Sequence, residues 1–119
     1  MDKLRFLNWP VYKDSKEIFS LILKIVNKLP KEHRFDIGSQ IIRSSLSITL
    51  NIAEGSGKHS DKDFTRFINI ALGSLHETFA ILDILRDNHF ITKGDFELVT
   101  NKLIKIMNQL GGFKKTLKS

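Results

Sequence analysis

The chain has 119 residues, with 19 Lys and Arg against 13 Asp and Glu, and a formal charge of +6 at neutral pH. Its 41% hydrophobic and 27% charged residues describe an ordinary globular chain, and residues 1–119 are expected to form one domain. It has no cysteine, which excludes disulfides, thiolate metal sites and a cysteine nucleophile. It also has no uninterrupted apolar run of about 18 residues and no signal-peptide block, so a cytoplasmic protein without a membrane span is expected.

The two prolines, Pro10 and Pro30, bracket the first helical pattern. Pro10 suits a first helical turn, where its missing N–H costs nothing. Tyr12, Ser15, Phe19, Ile22, Val26 and Leu29 then recur at spacings of three and four, the helix period. Leu29-Pro30 ends the pattern, because the residue before proline is pushed out of the α region. A polar link, Lys31–Arg34, leads to Asp36 as an N-cap. The second pattern carries Ile37, Ile41, Ser45, Ile48 and Ile52 on one face and Leu46, Leu50 and Ala53 on another. Gly55 and Gly57 are expected to stop it, since glycine tolerates the left-handed turn after a helix.

Ser60-Asp61-Lys62-Asp63 resembles a capping box with Asp in place of the usual Glu or Gln. A regular ladder follows: Phe64, Ile68, Ala71, Leu75, Thr78, Leu82 and Leu85. Thr92, with Asp95 three residues on, opens the last pattern in the same way: Phe96, Val99, Leu103, Ile106, Leu110, Phe113 and Leu117. Gly111-Gly112 interrupts it, either ending the helix or bending it. No strand-like alternation occurs. The expected fold is all-α, an up-down-up-down antiparallel four-helix bundle with helices at roughly 11–29, 36–55, 61–88 and 93–117.

Two features reach beyond a lone bundle. The first pattern is apolar on more than one stripe (Ile18, Phe19, Leu21, Ile22, Leu23, Ile25, Val26), and the second adds Leu46 and Leu50. A single bundle needs one stripe per helix, so the surplus predicts a second buried surface and self-association. Charge is also uneven. Residues 1–59 carry ten Lys and Arg against six Asp and Glu, residues 60–92 three against five, and residues 93–119 six against two. Such a balance favours anionic partners, with Lys13, Lys16, Lys24, Lys28, Lys102, Lys105, Lys114, Lys115 and Lys118 as the expected phosphate contacts. The bland alternative is that these lysines keep helix surfaces solvated.

No catalytic constellation is present. No Glu has a His three residues later, as di-iron bundles require. Gly55-Ser56-Gly57 alone is no phosphate cradle, and no histidine is placed to activate Ser44, Ser45 or Ser47. The expectation is a non-enzyme without cofactor or metal. Asn51 with Glu54, and Ser74 with Glu77, share helical faces three residues apart. They read as a register-fixing network with Arg43 and Arg66 as available partners, or else as a ligand site at a bundle end.

Gln40-Ile41-Ile42-Arg43-Ser44-Ser45, then Ser47-Ile48, Asn51-Ile52-Ala53-Glu54-Gly55, and Phe67 through Ala71-Leu72-Gly73-Ser74-Leu75-His76-Glu77 resemble the 23S rRNA intervening-sequence proteins. The resemblance runs from about Trp9 to Leu110, nearly the whole chain. It implies a left-handed four-helix bundle assembling into a homopentameric ring, with Arg43, Asn51, Glu54, Gly55, Gly73, Ser74 and Glu77 as architectural motif residues. Some members of that family are encoded within ribosomal RNA genes. Related proteins are accessory factors of diversity-generating retroelements, binding a reverse transcriptase and nucleic acid. RNA, DNA or a reverse transcriptase are therefore the partners the resemblance implies. The readings to separate are an oligomeric nucleic-acid-binding scaffold, a protein-interaction module, and a nuclease dependent on Glu54 and Glu77.

Overall fold

The computed structural model describes residues 2–117. Four helices follow in chain order: α1 (Pro10–Asn27), α2 (Ile37–Ser56), α3 (Asp61–Asp87) and α4 (Lys93–Thr116). Each packs on its chain neighbours and α1 closes against α4, giving the up-down-up-down bundle, 44 × 22 × 20 Å in extent. A kinked 3-10 segment, Asp2–Asn8, precedes α1 and rests on α1 and α2. Hydrophobic periodicity does not reveal it.

Local chemistry sets the helix ends. Trp9 caps α1 through backbone geometry alone, with Pro10 in the first turn. The helix stops at Asn27, two residues short of Leu29. Lys28 and Leu29 donate to the carbonyls of Ile25 and Val26 in a tightened final turn. The polar link then does a specific job: Arg34 donates from Nε to the Leu29 carbonyl (3.0 Å) and from Nη2 to that of Asn27 (2.9 Å), covering acceptors that the helix end leaves open. Asp36 accepts from the Ile37 N–H at 2.6 Å. Ser60 and Thr92 accept from the N–H groups of Asp63 (3.1 Å) and Asp95 (3.0 Å), so both capping sequences work as N-caps.

Two glycine expectations are corrected. Gly55 lies inside α2, buried, and does not stop it. A Cβ there would sit 2.9 Å from the Phe67 Cβ and 3.0 Å from the Phe64 Cδ1, so the absent side chain lets α3 approach α2. Gly57 caps the helix with φ −89°, not a left-handed turn. Among the described residues the left-handed one is His89, φ 61°. It takes the glycine position of a Schellman turn in which Phe90 N–H bonds the Leu85 carbonyl (2.9 Å) and His89 N–H that of Arg86 (3.1 Å). Helix α4 runs unbroken through Gly111-Gly112.

The core follows the predicted ladders. Ile41, Ser45, Ile48 and Ile52 of α2, the whole α3 ladder from Phe64 to Leu85, and Phe96, Val99, Leu103, Ile106 and Leu110 of α4 are buried. Much of the apolar stripe of α1 is taken up within this one chain: Ile18, Ile22, Ile25 and Val26 are buried, Phe19 and Leu21 are half-buried and Leu23 is exposed. An apolar arc that wide is needed because α1 packs against α2, α4 and the 3-10 segment together. Helix α3 is long and apolar enough by length and composition to cross a membrane. Its apolar ladder is spent on the bundle core.

Candidate functional site

Of the motif residues, Asn51, Gly55 and Ser74 lie in the seam between α2 and α3, the most extensive helix contact in the bundle. Small hydroxyl side chains fill it. The Thr78 hydroxyl has the Ser74 carbonyl at 2.9 Å and the Ser44 hydroxyl the Ile41 carbonyl at 3.2 Å, and the two hydroxyls meet across the seam at 2.8 Å, where either can donate. One turn along, Ser47 Oγ accepts from both Ser74 Oγ (2.8 Å) and Asn51 Nδ2 (3.0 Å). Asn51 donates also to the Ser47 carbonyl, at 2.8 Å. Ser44 and Thr78 are buried, and hydroxyls in that position must be paired or cost about 1–3 kcal/mol each. The cross-links therefore fix the register of α2 against α3.

The carboxylates stay out of this network. Glu54 and Glu77 are exposed, as is Arg43. Arg66 stands 3.9 Å from Asp63 on its own helix and not beside either glutamate. The expectation of a network reaching Glu54, Glu77, Arg43 and Arg66 is corrected. The bonds pass through Ser44, Ser47, Asn51, Ser74 and Thr78, because those are the groups inside the seam. Along the outer rim, spacings of three and four put Arg43, Leu50 and Glu54 on one helix beside Ile70, Gly73 and Glu77 on the other. Leu50 is 55% exposed and Leu46, Ile70 and Ile84 also stand in solvent, so this rim is partly apolar. A Cβ on Gly73 would meet nothing, so that notch is unused within one chain.

The opposite seam, α1 against α4, holds most of the lysines singled out from the sequence. Three of them already have carboxylate partners from the other helix. Lys28 reaches Asp95 at 3.0 Å, Lys102 reaches Glu17 at 3.0 Å and Lys105 reaches Asp14 at 3.3 Å. Lys16 stands 5.0 Å from the centre of the Tyr12 ring. Lys13 and Lys24 are exposed on α1, while Lys114 and Lys115 lie on the other flank of α4, beside Leu72 and His76 of α3. Lys118 lies outside the described residues. The side remains positive, since the lysines outnumber the three carboxylates paired with them.

Among the described residues no three His, Asp or Glu side chains gather into a metal-binding cluster. The carboxyl of Asp36 is held below the ordinary carboxylate range. The main cause is the hydrogen bond from Ile37 N–H; slight desolvation opposes it, and the nearby His33 ring adds a smaller favourable pull.

The sequence model of one family, described as 23S rRNA-intervening sequence protein, matches residues 8–112. A solved structure from Bacteroides thetaiotaomicron, a protein with unknown function from the S23 ribosomal protein family, shares 32% sequence identity with this chain. The match covers 89% of this chain and 99% of that one, with a TM-score of 0.83. No curated protein matches.

Proposed function

The chain belongs to the 23S rRNA-intervening sequence protein family, and on that footing we propose that it is a non-catalytic, self-associating bundle that engages RNA or DNA through its lysine-bearing α1/α4 side. The observation that carries this reading is the division of the surface between two opposite seams. A partly apolar rim with an unused glycine notch runs along α2 and α3. A positive side, crossed by the Lys28, Lys102 and Lys105 ion pairs, runs along α1 and α4. Apolar area removed from water stabilises association by about 25 cal/mol per Å². Burying the α2/α3 rim between copies, in a pentameric ring on this reading, would turn every positive side outward. Weak phosphate contacts would then add by multivalency. No catalysis and no cofactor enter the reading. Cytoplasmic placement is part of the proposal.

The test is binding of the purified oligomer to labelled structured RNA and duplex DNA across a salt series. A linear fall of log affinity with log salt is expected, its slope counting phosphates neutralised. Absence of binding at low salt overturns the nucleic-acid reading. A second reading has its own observation. Three of the candidate lysines already sit on carboxylates, so less positive charge is free for phosphate than the sequence suggests. On that reading the bundle is a scaffold for a protein, such as a reverse transcriptase. It is supported if Leu46→Glu or Leu50→Glu abolishes partner capture while nucleic acid never binds.

A further inference from the structure

Phe35, in the link between α1 and α2, is 91% exposed, whereas no other large apolar side chain among the described residues exceeds 55%. Single aliphatic side chains in solvent are ordinary, but a phenyl ring has about 150–250 Å² to bury. Its place is fixed from both sides. Arg34 before it is committed to the Leu29 and Asn27 carbonyls, and Asp36 after it caps α2. The link therefore holds the ring out at the end of the bundle where α1 finishes and α2 begins.

The same end carries a recess of about 220 Å³, between the last turn of α1 and the link from α3 to α4. Ile25, Phe90 and Ile91 give it apolar walls, and the Lys28–Asp95 pair, at 3.0 Å, gives it a polar edge. Phe90 also packs on His33, with centroids 5.3 Å apart, so the recess and the link that carries Phe35 are neighbours. An apolar cavity of about 150 Å³ accepts a benzene ring, so there is room for a phenyl side chain. The chain's own Phe35 does not fill it, since that ring stands in solvent.

We propose that Phe35 of one copy seats in this recess on a second copy, while the second copy's Phe35 seats in the recess of the first. Ring and recess lie on one end, which makes the contact self-complementary. A two-fold axis lying across the end face, midway between them, carries each onto the other. Charge agrees with that arrangement. Residues 28–36 carry three Lys and Arg against two Asp and Glu, residues 83–95 two against three, and the axis sets the first segment of one copy against the second segment of the other. The contact is small. With a cross-section of 22 × 20 Å, two end faces bury roughly 900 Å² in all, under the ~1,200–2,000 Å² of stable pairs. It is therefore a weak, concentration-dependent pairing. It is separate from the α2/α3 rim, which runs along the side of the bundle.

The test is light scattering from roughly 10 μM to 1 mM, the span of weak contacts, on the unmodified protein and on Leu50→Glu, with methyl NMR of the isoleucines alongside. In both proteins the mass is expected to rise toward twofold with concentration, and the Ile25 and Ile91 methyl signals to shift with it. Adding Phe35→Glu should abolish the rise and the shifts while leaving the Tm unchanged, because the ring lies in solvent. A mass that does not rise, a rise that survives Phe35→Glu, or a rise with Ile25 and Ile91 unmoved overturns the proposal. If no rise occurs and Phe35→Glu instead releases the protein from lipid vesicles, the ring belongs to a membrane and the self-contact falls. The rim is judged separately. A Leu50→Glu protein whose mass at low concentration is unchanged removes the rim contact, and the concentration-dependent doubling still decides the end contact.

Discussion

Single residues test the packing most sharply where glycines and caps behave differently from their sequence appearance. Gly55→Ala gains about 1 kcal/mol of helix propensity but overpacks against Phe64 and Phe67, at a cost of about 1–3 kcal/mol. A net fall in Tm is expected. Gly73→Ala meets open space and should raise the Tm of the isolated bundle. His89→Gly should also stabilise, by up to about 1 kcal/mol, because the Schellman turn holds a non-glycine residue in the left-handed region. Asp36 carries a pH signature. Its folded pKa lies below the unfolded value, so its contribution is complete above the unfolded pKa and lost as pH falls through the folded one. Asp36→Asn keeps a capping oxygen, so melting at neutral pH should be almost unchanged while the acid-side loss becomes shallower.

Among the helices, the α2/α3 seam is the pairing that hydroxyls specify. Thr78→Val removes the cross-seam hydrogen bond, leaving Ser44 only the Ile41 carbonyl, and should cost about 1 kcal/mol in chemical denaturation. Ser44→Ala should then cost less in the Thr78→Val background than alone, a coupling that a double-mutant cycle measures. The helices themselves were legible in the sequence because period and capping agree. Ser60 and Thr92 sit where oxygen acceptors are needed, and every α3 ladder residue from Phe64 to Leu85 is buried. The 3-10 segment was not legible, since Asp2–Asn8 has no repeating stripe and is held by contacts with α1 and α2. Part of the α1 stripe has a related cause: one helix facing three neighbours shows, by periodicity, an apolar arc wider than a single stripe. Of the seam network, Asn51 and Ser74 could be read from spacing. Thr78 looked like an ordinary ladder position, and its pairing with Ser44 depends on a register that only the assembled fold supplies.

For the whole molecule, the proposed assembly predicts that Leu50→Glu shifts light-scattering mass toward the monomer without lowering helicity, since Leu50 is 55% exposed and contributes little to the bundle core. The opposite result, an unchanged mass, would move the subunit contact off the α2/α3 rim. The cyclic order of the helices also bears on how the chain reaches its fold. Pairing of α2 with α3 closes a short connection and makes the largest contact, whereas α1 meets α4 only after most of the chain has been spanned. Loop-closure entropy therefore favours the α2–α3 hairpin as the folding nucleus, with the α1/α4 seam zipping up late. In stopped-flow chevrons, substitutions at Ser44 or Thr78 should slow the folding limb. Truncating Phe113, which packs on Trp9 across the late-forming seam, should chiefly accelerate unfolding, so the lysine-bearing side would be the first to part when the protein opens.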